Sequence, residues 1–349
     1  MPLRGAALVA SRVHLGCKAI TGEDSEGALG YLHSAMISSQ HHQAFRISVV
    51  WTLGLLFLGS IVHATGSSLA CPDWPTCYGT IFPAMEGGVF WEHLHRLVAG
   101  GLILIWGFAW WLAHREGAPE RVRMGCALGL ALLVVQSVLG GMTVLLRLPA
   151  AVSTTHLVLA LIFLALAVAL TTESSTRWHA TAAFGPRLSG ALRRWGYAGA
   201  VTVLVQSVLG GLVRHLDAGL ACPDVPLCFG RVVPPLVNRL LGLHFAHRVL
   251  GILAAFAVIA GTLAMLRAGA RGRIALLAVS GTALVLVQVG LGVWSVASRL
   301  AVAPVSLHTL VAALLFATAV TQAHLGNIGD SRRRGVRAPL QTSDVGMPC

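Results

Sequence analysis

ACPDWPTCYG at 70–79 and ACPDVPLCFG at 221–230 are near copies of one another. Each is followed at the same interval by a His-Arg pair and later by a lone histidine. Cys71, Cys77, His95 and His156 therefore recur as Cys222, Cys228, His247 and His308, offset by 151 for the cysteines and 152 for the histidines. A duplication that keeps these four positions defines a module of two cysteines and two histidines, used twice.

Composition says where the modules sit. The 349 residues are 56% hydrophobic and only 11% charged, with mean hydropathy +0.76, too apolar for a domain that must solvate its surface. Eight apolar stretches, at about 47–66, 91–113, 124–146, 152–172, 197–216, 241–266, 275–297 and 304–324, each approach the ~20 residues a helix needs to cross hydrocarbon. Four fall in each repeat. Open strands would leave backbone groups unpaired in lipid, and the runs are too long and unalternating for a barrel. The expected fold is an all-α integral membrane protein, its eight transmembrane helices forming two pseudo-symmetric four-helix bundles.

A net charge of +12 invites a nucleic-acid reading, but the basic residues sort by loop. Segments 114–123, 173–196, 267–274 and the tail after 324 hold fourteen arginines, whereas the alternate loops hold Arg147, Arg231, Arg239 and Arg299. The bias predicts a multi-pass protein of a bacterial-type cytoplasmic membrane, with both termini cytoplasmic and the cysteine loops outside. The charge then serves topology and anionic lipid, with no nucleic-acid partner.

Residues 1–44 contain Glu23, Asp24, Glu26 and the polar run SSQHHQ, and lack the apolar core of a secretory signal. They read either as a disordered cytoplasmic extension or as an overlong start, with Met36 as the true beginning. The Arg-rich segment 325–349 reads as an unstructured basic tail. Between these ends the chain divides into an N-terminal half (45–173), a cytoplasmic linker (174–196) and a C-terminal half (197–324).

An extracytoplasmic location is oxidising, so Cys71–Cys77 and Cys222–Cys228 are the expected disulfides. Closing so short a loop contributes roughly 2 kcal/mol by the chain-entropy estimate, and Pro72, Pro75, Pro223 and Pro226 stiffen the same segments. The bridges are either structural staples or redox-active. Cys17, Cys126 and Cys349 are left without partners in the repeat and are expected to be inert.

The histidines carry the chemistry. His95 and His247 fall in the first turns of the second and sixth spans, and His156 and His308 open the fourth and eighth. Each half thus offers two imidazoles from two helices running in one direction at one depth, the arrangement for axial ligands on opposite faces of a haem. The competing structural reading has these imidazoles satisfied by Ser153, Thr154, Ser306 and Thr309. Zinc would recruit a tetrahedral set that a two-histidine core does not supply. Arg96 and Arg248, each following a ligand histidine, are candidates for neutralising haem propionates. The halves differ at Glu92, on the helix face of His95, whose counterpart is His244; an acid at this depth in one copy alone is a candidate catalytic group.

The E-x-x-H-R of 92–96, the second His-Arg at 247–248, the histidines at 156 and 308, the cysteine loops, and VVQSVLGGMTV, LVQSVLGGLVR and LVQVGLGVWSV on spans 3, 5 and 7 together resemble the haem A synthase family of cytochrome oxidase assembly proteins, over about 45–325. The resemblance implies a membrane-bound oxidoreductase that takes haem O to haem A, hydroxylating one methyl twice and losing water to leave a formyl group. It implies a substrate haem between His95 and His156 with Glu92 near the reacting edge, and a cofactor haem b between His247 and His308. Arg214 is a further propionate candidate; its counterpart His63 departs from the arginine often found there. Haem O synthase and oxidase assembly factors are implied partners. A bis-histidine electron-transfer protein and a non-catalytic haem carrier are the alternative readings.

Overall fold

Apolar helices and tight polar turns build the protein, and the turns recur at the repeat offset as faithfully as the histidines do. The computed structural model describes residues 39–181 and 184–337, with side chains omitted at a few positions near the segment ends. Nine α-helices run through this part: α1 (Ser39–Ala64), α2 (Gly87–Arg115), α3 (Glu120–Leu145), α4 (Ala150–Glu173), the short α5 (Thr176–Thr181), α6 (Pro186–His215), α7 (Arg239–Arg267), α8 (Gly272–Ala297) and α9 (Val302–Arg337). All but α5 are long and apolar enough to cross a membrane. Between 22% and 39% of each apolar window is buried within the protein, so hydrocarbon must cover the rest.

The helix ends are local chemistry. Both α2 and α7 stop at a glycine in the left-handed region, Gly117 (φ 62°) and Gly269 (φ 96°). In each case the next amide reaches back five residues, Ala118 to the Ala113 carbonyl and Ala270 to that of Met265, both at 3.0 Å. Pro119 and Pro149 precede α3 and α4, Pro186 opens α6, and the Asn238 side chain accepts from the Leu241 amide at 2.8 Å to cap α7.

Each half closes as a ring of four, α1–α2–α3–α4 and α6–α7–α8–α9, with each helix packed on the next and the last on the first. Helices α1, α4, α6 and α9 also pack between the halves, where Leu56, Leu161, Leu164, Val203, Phe316 and Ala319 form a shared apolar core. The tightest approach is α6 on α9. A Cβ on Gly196 would stand 2.3 Å from the Ala323 nitrogen, and one on Gly326 would stand 2.4 Å from that of Arg193. Arg193 also pairs with Asp330 at 2.6 Å. In the N-terminal half the fully buried Trp106 lies against Gly129, donates to the Cys126 carbonyl at 2.8 Å and meets the Phe163 ring edge-on.

Several boundaries differ from expectation. Residues 39–44 belong to α1, and the chain from 325 to Arg337 continues α9, because Leu325 and Ile328 find an apolar cluster with Leu188, Leu192 and Met265. The linker 174–196 contains α5 and the first turns of α6. The expected disorder of the first residues, Met36, Cys17 and Cys349 lie outside the described residues.

Both loops carry a disulfide, Cys71–Cys77 (S–S 2.02 Å) and Cys222–Cys228 (2.11 Å), and one cis X-Pro bond. Inside each, an aspartate organises the turn. Asp73 accepts from the Tyr78 and Gly79 amides at 2.6 and 3.0 Å and from the Thr76 hydroxyl; Asp224 accepts from the Phe229 and Gly230 amides at 2.7 and 2.8 Å. These bonds hold both carboxyls below the usual aspartate range, the Thr76 hydroxyl mattering most for Asp73 and the Gly230 amide for Asp224.

Two predictions follow from this packing. Gly196→Ala should destabilise the protein by about 1–3 kcal/mol through backbone overlap, whereas Gly190→Ala, with no atom within 4 Å of the new Cβ, should be neutral or slightly stabilising; thermal unfolding in detergent measures both. Depressed aspartate pKa values mean that the loop bonds are fully present above the unfolded carboxyl range near pH 4 and are lost as pH falls through the lower folded values. Amide exchange at Tyr78, Gly79, Phe229 and Gly230, corrected for intrinsic rate, should be slow at pH 7 and accelerate in acid. Asp73→Asn should speed the first pair alone at neutral pH.

Candidate functional site

The four histidines occupy matched depths in the two halves. His95 follows the start of α2, and His247 the start of α7, by the same eight residues, ~12 Å of helical rise; His156 and His308 lie six residues, ~9 Å, into α4 and α9. Because α2 and α7 begin earlier than their apolar runs suggested, His95 and His247 sit in the third helical turn rather than the first. His95 and His156 are near enough to interact electrostatically, as are His247 and His308.

Each imidazole lies against a glycine of a neighbouring helix. A Cβ on Gly59 would stand 3.1 Å from His95 Nε2, one on Gly140 3.2 Å from His156 Cε1, one on Gly210 3.0 Å from His247 Cε1, and one on Gly292 3.2 Å from His308 Cε1. Gly59 and Gly210 are repeat counterparts, as are Gly140 and Gly292. The VLGG motif thus does more than let helices approach: its first glycine makes room for a ring.

The hydroxyls that could have satisfied these rings do not. The Oγ atoms of Ser153 and Ser306 are buried without a partner, Thr154 contacts His215 Nδ1 at 3.0 Å, and Thr309 contacts Ser60 at 3.1 Å. His308 Nδ1 donates to the Gln288 carbonyl at 3.1 Å, which leaves Nε2 with a free lone pair. Gln206 Nε2 lies 2.9 Å from His247 Nδ1 and 2.7 Å from the His247 carbonyl, and Gln136 Nε2 donates to the His156 carbonyl at 2.7 Å. His156 Nδ1 is buried and unpartnered. All four histidines are partly buried. Buried polar atoms are ordinarily bonded; among the described residues His156 Nδ1, Ser153 Oγ, Ser306 Oγ and the Oε1 atoms of Gln136, Gln206 and Gln288 are exceptions near the pairs, as a ligand-binding site would leave.

Glu92 and His244 turn out to do the same mechanical work. Glu92 Oε2 accepts from the Cys71 amide at 2.9 Å and Oε1 from Arg96 at 2.6 Å. His244 meets the matching donors, the Cys222 amide 3.3 Å from Nδ1 and Arg248 Nε 3.2 Å from Nε2, and as a neutral ring accepts from one of them. Both arginines then clamp the disulfide loops: Arg96 donates to the carbonyls of Asp73 and Thr76 at 2.8 and 2.5 Å, and Arg248 to those of Asp224, Leu227 and Cys222 at 2.9, 2.9 and 2.7 Å. Each clamp ties a loop to the helix that carries a candidate ligand.

Arg214 is placed differently. It donates to the Ser60 hydroxyl and carbonyl at 2.8 and 2.6 Å and to Thr309 at 3.5 Å, joining α6 to α1 and α9, and pairs with no carboxylate among the described residues. His308 lies within its electrostatic reach. Its counterpart His63 stacks on His215 with ring centroids 5.4 Å apart. The glycine cradles, the three glutamines and His215 were missed in the sequence, although the repeated Q-x-x-x-G spacing carried the signal for the first two.

Known proteins extend this reading. Residues 85–320 match the model of COX15-CtaA, described as cytochrome oxidase assembly protein. The chain is 33% identical over 267 residues to Heme A synthase of Caulobacter sp. (strain K31), covering 70% of this chain and 75% of that protein. It is 26% identical over 317 residues to Heme A synthase of Shewanella oneidensis, covering 79% and 93%, and 28% identical over 220 residues to Heme A synthase of Shouchella clausii, covering 61% and 73%. The family match spans both histidine pairs, both arginine clamps and the second disulfide loop, and the chain belongs to this family of cytochrome oxidase assembly proteins.

Proposed function

We propose that the protein is a haem A synthase, a membrane-bound oxidoreductase that converts haem O to haem A. The observation that carries the reading is the duplicated pair of half-buried imidazoles, each against a helix glycine and none held by a neighbouring hydroxyl. The reaction hydroxylates one methyl of the substrate twice, and the geminal diol loses water to leave the formyl group.

In this reading His95 and His156 would hold the substrate haem through its iron, and His247 and His308 would hold a resident haem b. The residues fit such groups: a ring nitrogen left without a partner in hydrocarbon costs free energy that an iron bond recovers, and a glycine lets each ring lie close to its neighbouring helix. When bound, the resident haem supplies one-electron exchange at its iron, chemistry that no side chain here offers. The Gln288 carbonyl fixes the His308 tautomer and aims Nε2 outward.

Of the three candidate propionate partners, Arg214 is the best supported, since its guanidinium has no carboxylate partner among the described residues and reaches both halves. Arg96 and Arg248 hold their loops, and through them the ends of α2 and α7. The arginine bias supports both termini being cytoplasmic and both loops extracytoplasmic.

Glu92 is assigned to the reaction by what distinguishes it from His244. An imidazole performs the loop-holding work in the C-terminal half, so what the carboxylate adds is negative charge one turn from His95. A methyl carbon being oxidised develops positive character, which a fixed negative charge stabilises.

Alanine at His247 or His308 should abolish or sharply reduce the low-spin haem b spectrum of the purified protein; full retention in both variants would overturn the ligand assignment. Glu92→His copies the other half's loop anchor. In cells that also make haem O, this variant should keep the Cys71–Cys77 bridge and haem b yet accumulate haem O or its hydroxymethyl product, as pigment extraction would show. Normal haem A from Glu92→His would reduce Glu92 to a loop anchor, and the absence of haem A from the unaltered protein would favour a carrier or electron-transfer role.

A further inference from the structure

One buried group beside the first loop takes no part in the hydrogen bonds described above. His93, on α2, is 4% exposed, and neither ring nitrogen has a hydrogen-bond partner among the described residues. A ring nitrogen of His93 and the sulfurs of Cys71 and Cys77, both fully buried, all lie within 4.8 Å of one another. In the C-terminal half the counterpart is Phe245, which packs against Cys222, Cys228 and Leu241. A phenyl ring fills that place without burying a polar atom, so packing alone does not call for an imidazole beside the bridge.

We propose that reduction of Cys71–Cys77 by an extracytoplasmic dithiol turns this loop into a two-sulfur, one-nitrogen site for a single Cu+ ion. In the redox step the dithiol is oxidised to its disulfide; its two electrons break the S–S bond and its two protons go to Cys71 and Cys77. Cu+ then displaces both thiol protons to solvent, forming two Cu–S bonds and one Cu–N bond to His93. Donors at ~2.3 Å from a metal stand at most ~4.6 Å apart, so small shifts of the released sulfurs bring the three atoms within range. Soft thiolates select Cu+ or Zn2+. Zn2+ ordinarily takes a tetrahedral set, and the carboxylates beside the loop are already engaged, Glu92 by the Cys71 amide and Arg96 and Asp73 by the Thr76 hydroxyl and the Tyr78 and Gly79 amides. Two thiolates and one imidazole complete a trigonal Cu+ site instead. The proposal stands independently of the haem assignment.

The test uses the full-length protein in detergent under anaerobic conditions, treated with dithiothreitol, with thiols mapped by alkylation and Cu+ affinity set by competition with bicinchoninate. The reduced protein should bind Cu+ that the oxidised protein does not, and X-ray absorption should show a site with two sulfurs and one nitrogen. Even an outer-shell partner is worth ~10–100-fold in metal affinity, so losing a direct ligand in His93→Phe should weaken the first-loop site at least ~10-fold and remove the nitrogen signal. Phe245→His should create the same site in the second loop, keeping the proposal testable if His93→Phe fails to fold. Unchanged copper binding in His93→Phe, no gain in Phe245→His, equal uptake by oxidised and reduced protein, preferential retention of Zn2+ in direct competition, or a bridge that dithiol cannot open would each overturn it.

Discussion

A polar group inside hydrocarbon has no water to turn to, and this one constraint governs the site. The outward faces of the helices are apolar, and polar side chains are drawn inward or toward the loops. There they either find a protein partner, as Arg214 does on Ser60 and Trp106 on the Cys126 carbonyl, or remain unsatisfied at about 1–3 kcal/mol each. The exceptions are concentrated around the imidazole pairs and the first disulfide. Such a cost is tolerated where a ligand relieves it, so the same physics that shapes the fold also marks the positions where the protein alone is incomplete.

Duplication gives the protein an internal control. The Asp73 and Asp224 turns, the Arg96 and Arg248 clamps and the four glycine-imidazole contacts recur at matched positions, so they belong to the module itself. What differs between the copies is then informative. Glu92 and His244 share one mechanical job with different charge. His93 and Phe245 share one location with different polarity. His63 and Arg214 share one register, yet the arginine bridges the halves while His63 stacks on His215. Trp74 covers Gly141, where the second copy has Val225 and Val293, a large-small pair exchanged for two residues of middle size. The halves have kept a common frame and diverged where ligand, charge or contact between them is at stake.

The loops and the histidines are mechanically one unit. Each arginine clamp is one residue beyond a candidate ligand and fixes its loop by two or three carbonyls, while Glu92 and His244, one turn earlier, meet the first cysteine's amide. Disturbing a disulfide loop therefore reaches the ligand through a single helical turn. This coupling gives the cysteine loops a bearing on the site without requiring that they touch the ligand.

The sequence by itself determined the number of membrane-crossing helices, the duplication, the cysteine pairs and the four recurring histidines, because these depend on local quantities: the length of apolar runs, turn chemistry and spacing along one chain. It also pointed to Glu92 as a difference between the halves. Helix ends were read less well, since Leu325 and Ile328 extend α9 by finding an apolar cluster that no local pattern announces. Only the tertiary structure decided that Glu92 and His244 both anchor loops, that Arg96 and Arg248 are clamps while Arg214 bridges the halves, that glycines cradle the imidazoles, and that His93 lies unpartnered against a disulfide. Each of these is a meeting of side chains distant in sequence, set by how helices pack and rotate. A hydrogen-bond partner is chosen by proximity in space, which composition and spacing do not encode.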